Sequence, residues 1–337
     1  MEFCLNLLKV SSSPHIRSNE TTRSIMTDVL IALTPSLLWG IYIFGFRVAV
    51  IAGVAVVAAM LSEFLYQFIQ KREITVLDMS AAVTGLLLAL NLPVSVPLWI
   101  PLVGSFFAII IVKQLFGGIG KNFINPALAA RIFLLSWPED MQTYVKPFTK
   151  LPAFVFNVTE QANDAISGAT SMSTLSAGLV DNSSVLDNFY GFIPGSIGEI
   201  SKLMLLLGFV YLLLRKVVTT HIPLSFIATV FVGMGAYSYF NGQPAPLNFA
   251  LNHVLSGGLL IGAIFMATDY TTSPVTASGK VIFGIGCGLI TIVIRLFGGY
   301  PEGVSFAILI MNTLVWHIDK WTRPKPFGAL VKEKQKK

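Results

Sequence analysis

FRVAVIAGVAVVAAMLSEFLYQFIQKR, Phe46 to Arg72, decides the fold class. Its apolar run, Phe46–Ile69, is long enough to cross a bilayer as one helix, which takes roughly 20 residues. The basic pair Lys71-Arg72 closes it. The rest of the chain repeats the pattern. Of 337 residues, 54% are hydrophobic and 12% charged, and the mean hydropathy is +0.73. Soluble domains carry roughly 25% charged residues. A chain this poor in charge, with repeated long apolar runs, is an integral membrane protein. The formal charge of +6 reports topology and gives no reason to expect a nucleic-acid partner.

The apolar runs predict an all-α polytopic protein of about ten membrane passes. They cover 27–45, 46–69, 79–93, 97–114, 122–137, 200–214, 220–239, 249–267, 280–298 and 301–318. Segments 79–93 and 122–137 are short for a full crossing. Asn91-Leu92-Pro93 and Asn125-Pro126 bound them, so broken or half helices are expected there. Basic residues set the orientation. With a cytoplasmic amino terminus, Lys9, Arg17, Arg23, Lys71, Arg72, Lys113, Lys121, Arg215, Lys216, Lys280 and the tail residues from Lys320 all fall inside. The connections 92–96 and 241–246 carry no charge. The segments are then a cytoplasmic 1–26, a first membrane half 27–137, an extracytoplasmic loop 138–199, a second half 200–319 and a basic cytoplasmic tail 320–337. MEFCLNLLKV has no basic region and no small-residue cleavage site, so no cleavable signal peptide is expected.

The halves share a pattern. Asp78, Val83-Thr84, an apolar run and then Lys113 with Leu115-Phe116-Gly117-Gly118 answer to Asp269, Val275-Thr276, an apolar run and Arg295 with Leu296-Phe297-Gly298-Gly299. The first LFGG falls inside and the second outside, as an inverted repeat requires.

Chemistry-bearing residues are few. Gly117-Gly118-Ile119-Gly120-Lys121 fails as a phosphate loop, because Leu115 and Asn122 stand where glycine and Ser/Thr are needed. It reads instead as a permissive break leading into Asn122–Pro126, where small residues and asparagines suit an unwound backbone lining a cavity. Arg131, His253 and Glu63 are ionisable groups in apolar runs. Arg131 needs a partner or cavity, Glu63 suits snorkelling to an interface, and His253 reads as an interfacial polar residue. Arg295, near the outer end of its run, either snorkels or meets an anion. Cys4 and Cys287 form no CxxC and no cluster framework, and no metal-ligand cluster is visible.

One polar stretch stands apart: DAISGATSMSTL, Asp164 to Leu175. No histidine lies near to activate a hydroxyl nucleophile, and turn or cap roles would account for Ser and Thr alone. Yet Asp164-Ala165-Ile166-Ser167-Gly168-Ala169-Thr170 resembles the D-x-x-S-G-A-T signal at which flavin transferases attach FMN through a phosphoester. Thr170 would supply the ester oxygen. The small residues Ser167, Gly168 and Ala169 would let the loop enter the transferase cleft, and Asp164 would help position it.

With Ser12-Ser13-Pro14-His15-Ile16-Arg17 and Gly117–Ala127 (GGIGKNFINPA), the chain resembles the RnfD/NqrB family of membrane subunits along nearly its whole length. Without the longer amino-terminal extension associated with NqrB, the likeness is to the RnfD side. The resemblance implies a subunit of a complex coupling electron flow between ferredoxin and NAD to sodium or proton movement. It implies FMN on Thr170, a second, non-covalent flavin, other Rnf subunits as partners, and a flavin transferase for maturation. Arg295 is the candidate counter-charge to the FMN phosphate. An inverted-repeat channel or transporter without redox chemistry is the competing expectation.

Overall fold

The computed structural model describes residues 20–154, 185–242, 245–298 and 302–324. The flavin-attachment motif, Asp164 with Ser167 to Thr170, lies outside them. Among the described residues the chain is helical, with no strand. In order, the helices are α1 (Thr22–Phe44), α2 (Arg47–Ile69), α3 (Ser80–Leu90), α4 (Trp99–Phe106, continuing as a π-helix over Phe107–Gln114), α5 (Pro126–Leu134), α6 (Pro138–Met141) and α7 (Val185–Tyr190). The second half holds α8 (Lys202–Leu214), α9 (His221–Phe240), α10 (Pro246–Leu255), α11 (Leu259–Ile261, continuing as a π-helix over Gly262–Met266), α12 (Ala277–Phe297) and α13 (Val304–Thr322). Each expected span holds a helix. By length and composition, α1, α2, α9 and α12 can each cross a bilayer alone. α10 and α11 make a fifth candidate if taken together, with a 62° bend between them.

Small residues let the helices close up. Gly284 and Gly288 lie one turn apart on α12 and face α9. A methyl group on Gly288 would stand 2.6 Å from Cβ of Thr229, and one on Gly284 would meet Ser225 Oγ. This is the small-xxx-small stripe by which membrane helices gain contact where lipid offers no hydrophobic drive. Two helices are almost wholly enclosed. Every residue of α3 is buried, as are most of α5.

The expected breaks are present. Asn125 caps α5, its Oδ1 accepting from Ala127 N (3.0 Å) and Leu128 N (3.3 Å), with Pro126 at the first helical position. α3 stops at Asn91, and residues 91–98 run buried without helix. Their carbonyls must still be satisfied. Leu92 O accepts from Ile197 N (3.0 Å), and Leu90 O from Gly198 N (2.7 Å). Ile193–Ser201, which the sequence assigns mostly to an exposed loop, is largely buried and plugs this broken end.

Two ends of the helical body can be told apart by their contacts. At one, Phe148 N donates to Ile43 O, and Arg47 donates to the carbonyls of Val94 (2.9 Å), Val96 (2.8 Å) and Pro152 (3.0 Å). At the other, Arg215 pairs with Asp28 (3.1 Å), Lys280 reaches Thr219, and Thr276 bonds Thr322. The connections rich in Lys and Arg gather at this second end. The first LFGG stands at the second end, after α4. The other begins at the close of α12, at the opposite end. Asp78 and Asp269 do not follow that relation. Both stand at the basic end, Asp78 bonded to Ser80 and Asp269 within electrostatic reach of Lys113.

Candidate functional site

At the basic end a cavity of about 270 Å³ opens between α1, α3, α5, α8 and the α11–α12 connection. Its walls are apolar: Met26, Val29, Val83, Leu87 and Ile264 among others. Polar groups enter at a few points, chiefly Ser80, Thr84, Lys113, Asn122, Asn125 and Asp269. The local structure explains each. Gly117, Gly118 and Gly120 all take positive φ (113°, 90° and 85°), conformations open to glycine, so the chain turns back sharply after α4. This is the permissive break the sequence suggests. The turn carries Asn122 and Asn125 into the cavity wall, where Asn125 Nδ2 also donates to Met266 O (3.2 Å). The π-stretch of α4 aims Lys113 inward. Its Nζ meets Glu63 (2.8 Å) and donates to Ser80 Oγ (2.6 Å), whose hydroxyl in turn donates to Asp78 (2.6 Å). Gln114 Nε2 donates to the same Glu63 (2.6 Å). Glu63 therefore does not snorkel. It is 1% exposed, because Lys113 and Gln114 give it better partners than an interface would.

Toward the opposite end, charges meet at the bend between α10 and α11. Arg131 leaves α5 and donates to Asn91 Oδ1 (2.8 Å) and to a carboxylate oxygen of Glu302, with which it forms an ion pair. Glu302 also accepts from Gly258 N (2.8 Å). Glu199 and Arg295 close the group. Arg295 is buried at the end of α12, its Nη1 donating to His253 O (2.5 Å) and Nη2 to Ser256 O (3.4 Å), while its Nε has no acceptor. It turns inward and does not snorkel. His253 is likewise no interfacial residue. It is 2% exposed against Phe249, with both ring nitrogens lacking partners. The side chains of Asn252 and Ser256 also hold unpartnered buried oxygens. Buried polar atoms left unpaired are costly, so their gathering on α10 and at Arg295 marks a place built for something more than packing.

The structure brings Arg131 and Arg295 to one site. It adds Glu199, Glu302 and Lys202, which the sequence alone does not single out. The only advance signal for them is a charge next to an apolar run.

The comparisons with known proteins agree over the whole chain. Residues 9–328 match the model of the NQR2, RnfD, RnfE family. The chain is 45% identical, over 98% of both sequences, to the D subunit of the Na(+)-translocating ferredoxin:NAD(+) oxidoreductase complex of Acetobacterium woodii. It is 38% identical to the D subunit of the proton-translocating ferredoxin:NAD(+) oxidoreductase complex of Clostridium ljungdahlii, over 96% of this chain and 97% of the relative. With the D subunit of the ion-translocating oxidoreductase complex of Escherichia coli K12 it shares 35% identity, over 96% and 99%. A polytopic helical chain with this breadth of similarity belongs to the NQR2, RnfD, RnfE family.

Proposed function

We propose that this protein is the membrane-embedded, flavin-carrying D subunit of an Rnf-type complex, which couples electron transfer between ferredoxin and NAD to ion translocation. The observation that carries it is similarity to D subunits along essentially the full chain, all-helical architecture included. The channel reading has no comparable support. The partners are the other subunits of the complex, and a flavin transferase acts in maturation.

Thr170 is the proposed attachment point for FMN, on the D-x-x-S-G-A-T spacing from Asp164. Bound flavin supplies the redox chemistry, and the protein holds, orients and tunes it. Arg295 suits the anionic phosphate by its unpartnered Nε. For a second, non-covalent flavin the basic-end cavity is the proposed location. Binding pockets of this kind are mostly apolar with a few placed polar groups. Thr84, Asn122 and Asn125 are the polar side chains of the cavity wall that would face a heterocycle edge. The termini are proposed to be cytoplasmic, with 138–199 chiefly extracytoplasmic, from the distribution of Lys and Arg.

The decisive test is intact-mass analysis of the subunit from the purified complex, with peptide mapping across Asp164–Leu175. The wild type is expected to carry one FMN phosphoester on Thr170. Thr170→Ala removes the covalent flavin while the complex still assembles. Flavin on Ser171 or Thr174, or flavin persisting in the variant, would overturn the assignment.

A further inference from the structure

We propose that Glu199 and Glu302 share one proton and form a proton-binding site inside the helical body. The two carboxyl groups border one small buried space above Gly258, where a methyl group would touch both Glu199 Oε2 and Glu302 Oε1. An ionised carboxylate only accepts hydrogen bonds. Two such groups facing one buried space repel unless one of them carries a proton.

The surrounding donors say which one. Both oxygens of Glu302 are served: Oε1 accepts from Gly258 N (2.8 Å) and Oε2 from Arg131 Nη2. Glu302 is the ionised partner. Glu199 Oε1 accepts from Ser196 N (2.9 Å). Its Oε2 has no donor, although Glu199 is only 5% exposed. That oxygen faces the shared space. A methyl group at Gly258 would lie 3.2 Å from it and 3.7 Å from Glu302 Oε1. A proton on Glu199 Oε2, donated to Glu302, removes both the repulsion and the orphan.

The charged and titratable groups around the pair come from five places. Arg131 is on α5, Arg295 on α12 and Lys202 at the start of α8. Tyr144 follows α6, and His253 on α10 stands behind Arg295. Lys202 Nζ is held by the carbonyls of Glu199 (2.6 Å) and Ile200 (3.3 Å), so it fixes the backbone that presents Glu199. A metal ion is the other species that joins two carboxylates. Hard cations take several oxygen ligands. Here a single carboxylate oxygen is free, and the Arg131 guanidinium flanks it.

Loading and release involve one bond. The Oε2–H bond of Glu199 forms or breaks, its proton exchanges with water, and no electron leaves either carboxyl. The site does not depend on whether Thr170 carries flavin.

Infrared difference spectroscopy on the purified complex tests this, between high and low pH and in H₂O and D₂O. The wild type is expected to show the carbonyl stretch of a protonated carboxylic acid, shifted in D₂O. Glu199→Gln keeps the shape and the donor and is expected to lose the band. Glu302→Gln is expected to lose it by a second route, because its amide then donates to Glu199 and leaves it ionised. The exposed Glu139→Gln is expected to keep it. A band that survives in either assembled variant, or that sodium abolishes at fixed pH, would overturn the proposal.

Discussion

Lys113 shows what a single buried charge asks of its neighbours. It is 3% exposed, and Glu63, at 1%, is its counter-ion. Removing one member leaves the other charged and dry, which costs about 3–5 kcal/mol, whereas replacing both with apolar residues of like volume is often close to neutral. Lys113→Met is therefore expected to lower the thermal stability of the complex strongly, and Lys113→Met with Glu63→Leu to recover most of it. A thermal-unfolding cycle over the four proteins checks this. If the double variant is as damaged as the single, the pair has a role beyond charge balance. Arg295 poses a different question. Under the flavin reading, Arg295→Gln leaves attachment at Thr170 intact but shifts the midpoint potential of the covalent flavin. An unchanged potential and reduction rate would remove Arg295 from the flavin site. Arg131 and Glu63 stand out in the sequence because a charge in an apolar run is conspicuous. Their partners do not. Glu302 is 171 positions from Arg131 and lies in a short polar connection, and no local pattern tells such a carboxylate from a solvated one.

Breaks in helices do at the scale of elements what those residues do singly. The chain bends by 62° between α10 and α11, and Gly257 makes this possible with φ of +68°. A side chain there is doubly opposed. The left-handed conformation costs roughly 1–2 kcal/mol for a residue with Cβ, and the new methyl would lie 2.7 Å from Glu302 Oε1. Gly257→Ala is expected to destabilise the protein by at least that amount and to loosen Glu302 from Gly258 N. Gly53 is the control, since it sits within α2 with nothing inside 4 Å of its missing Cβ. There alanine is expected to stabilise by up to about 1 kcal/mol, the ordinary helix-propensity gain. Equal effects at the two positions, read by thermal unfolding, would show that the bend imposes no such constraint. Asn-Leu-Pro, Asn-Pro and the glycine runs announce most breaks in the sequence. The π-helical stretches at Phe107–Gln114 and Gly262–Met266 give no such sign. They arise from tertiary demands, such as turning Lys113 toward Glu63, that no periodicity encodes.

For the whole molecule, the question is which end faces the cytoplasm. The segment pattern and the grouping of basic connections are legible in the sequence, because bilayer thickness and charge bias act on composition directly. The plug formed by Ile193–Ser201 is not, because a buried non-helical segment has the composition of a loop and is recognised only by what satisfies its backbone. Arg47, Arg131, Lys202 and Arg295 run against the charge argument at first sight, since all sit away from the basic end. Each is buried and bonded to carbonyls or carboxylates. Their placement answers to these internal partners, and only exposed connections report orientation. Exposed positions therefore provide the test. Gln70 follows α2 at the basic end, and Gln142 follows α6 at the other, both open to solvent. Single cysteines are placed there in a chain whose Cys4 is serine. Cys287 is buried within α12 and does not compete. On intact cells a membrane-impermeant thiol reagent is expected to label Gln142→Cys and spare Gln70→Cys, with both labelled after lysis. The reverse pattern would place the basic end outside. It would also move the cavity with Lys113 to the extracytoplasmic face, and it would put Thr170, in the connection that follows Gln142, on the cytoplasmic side.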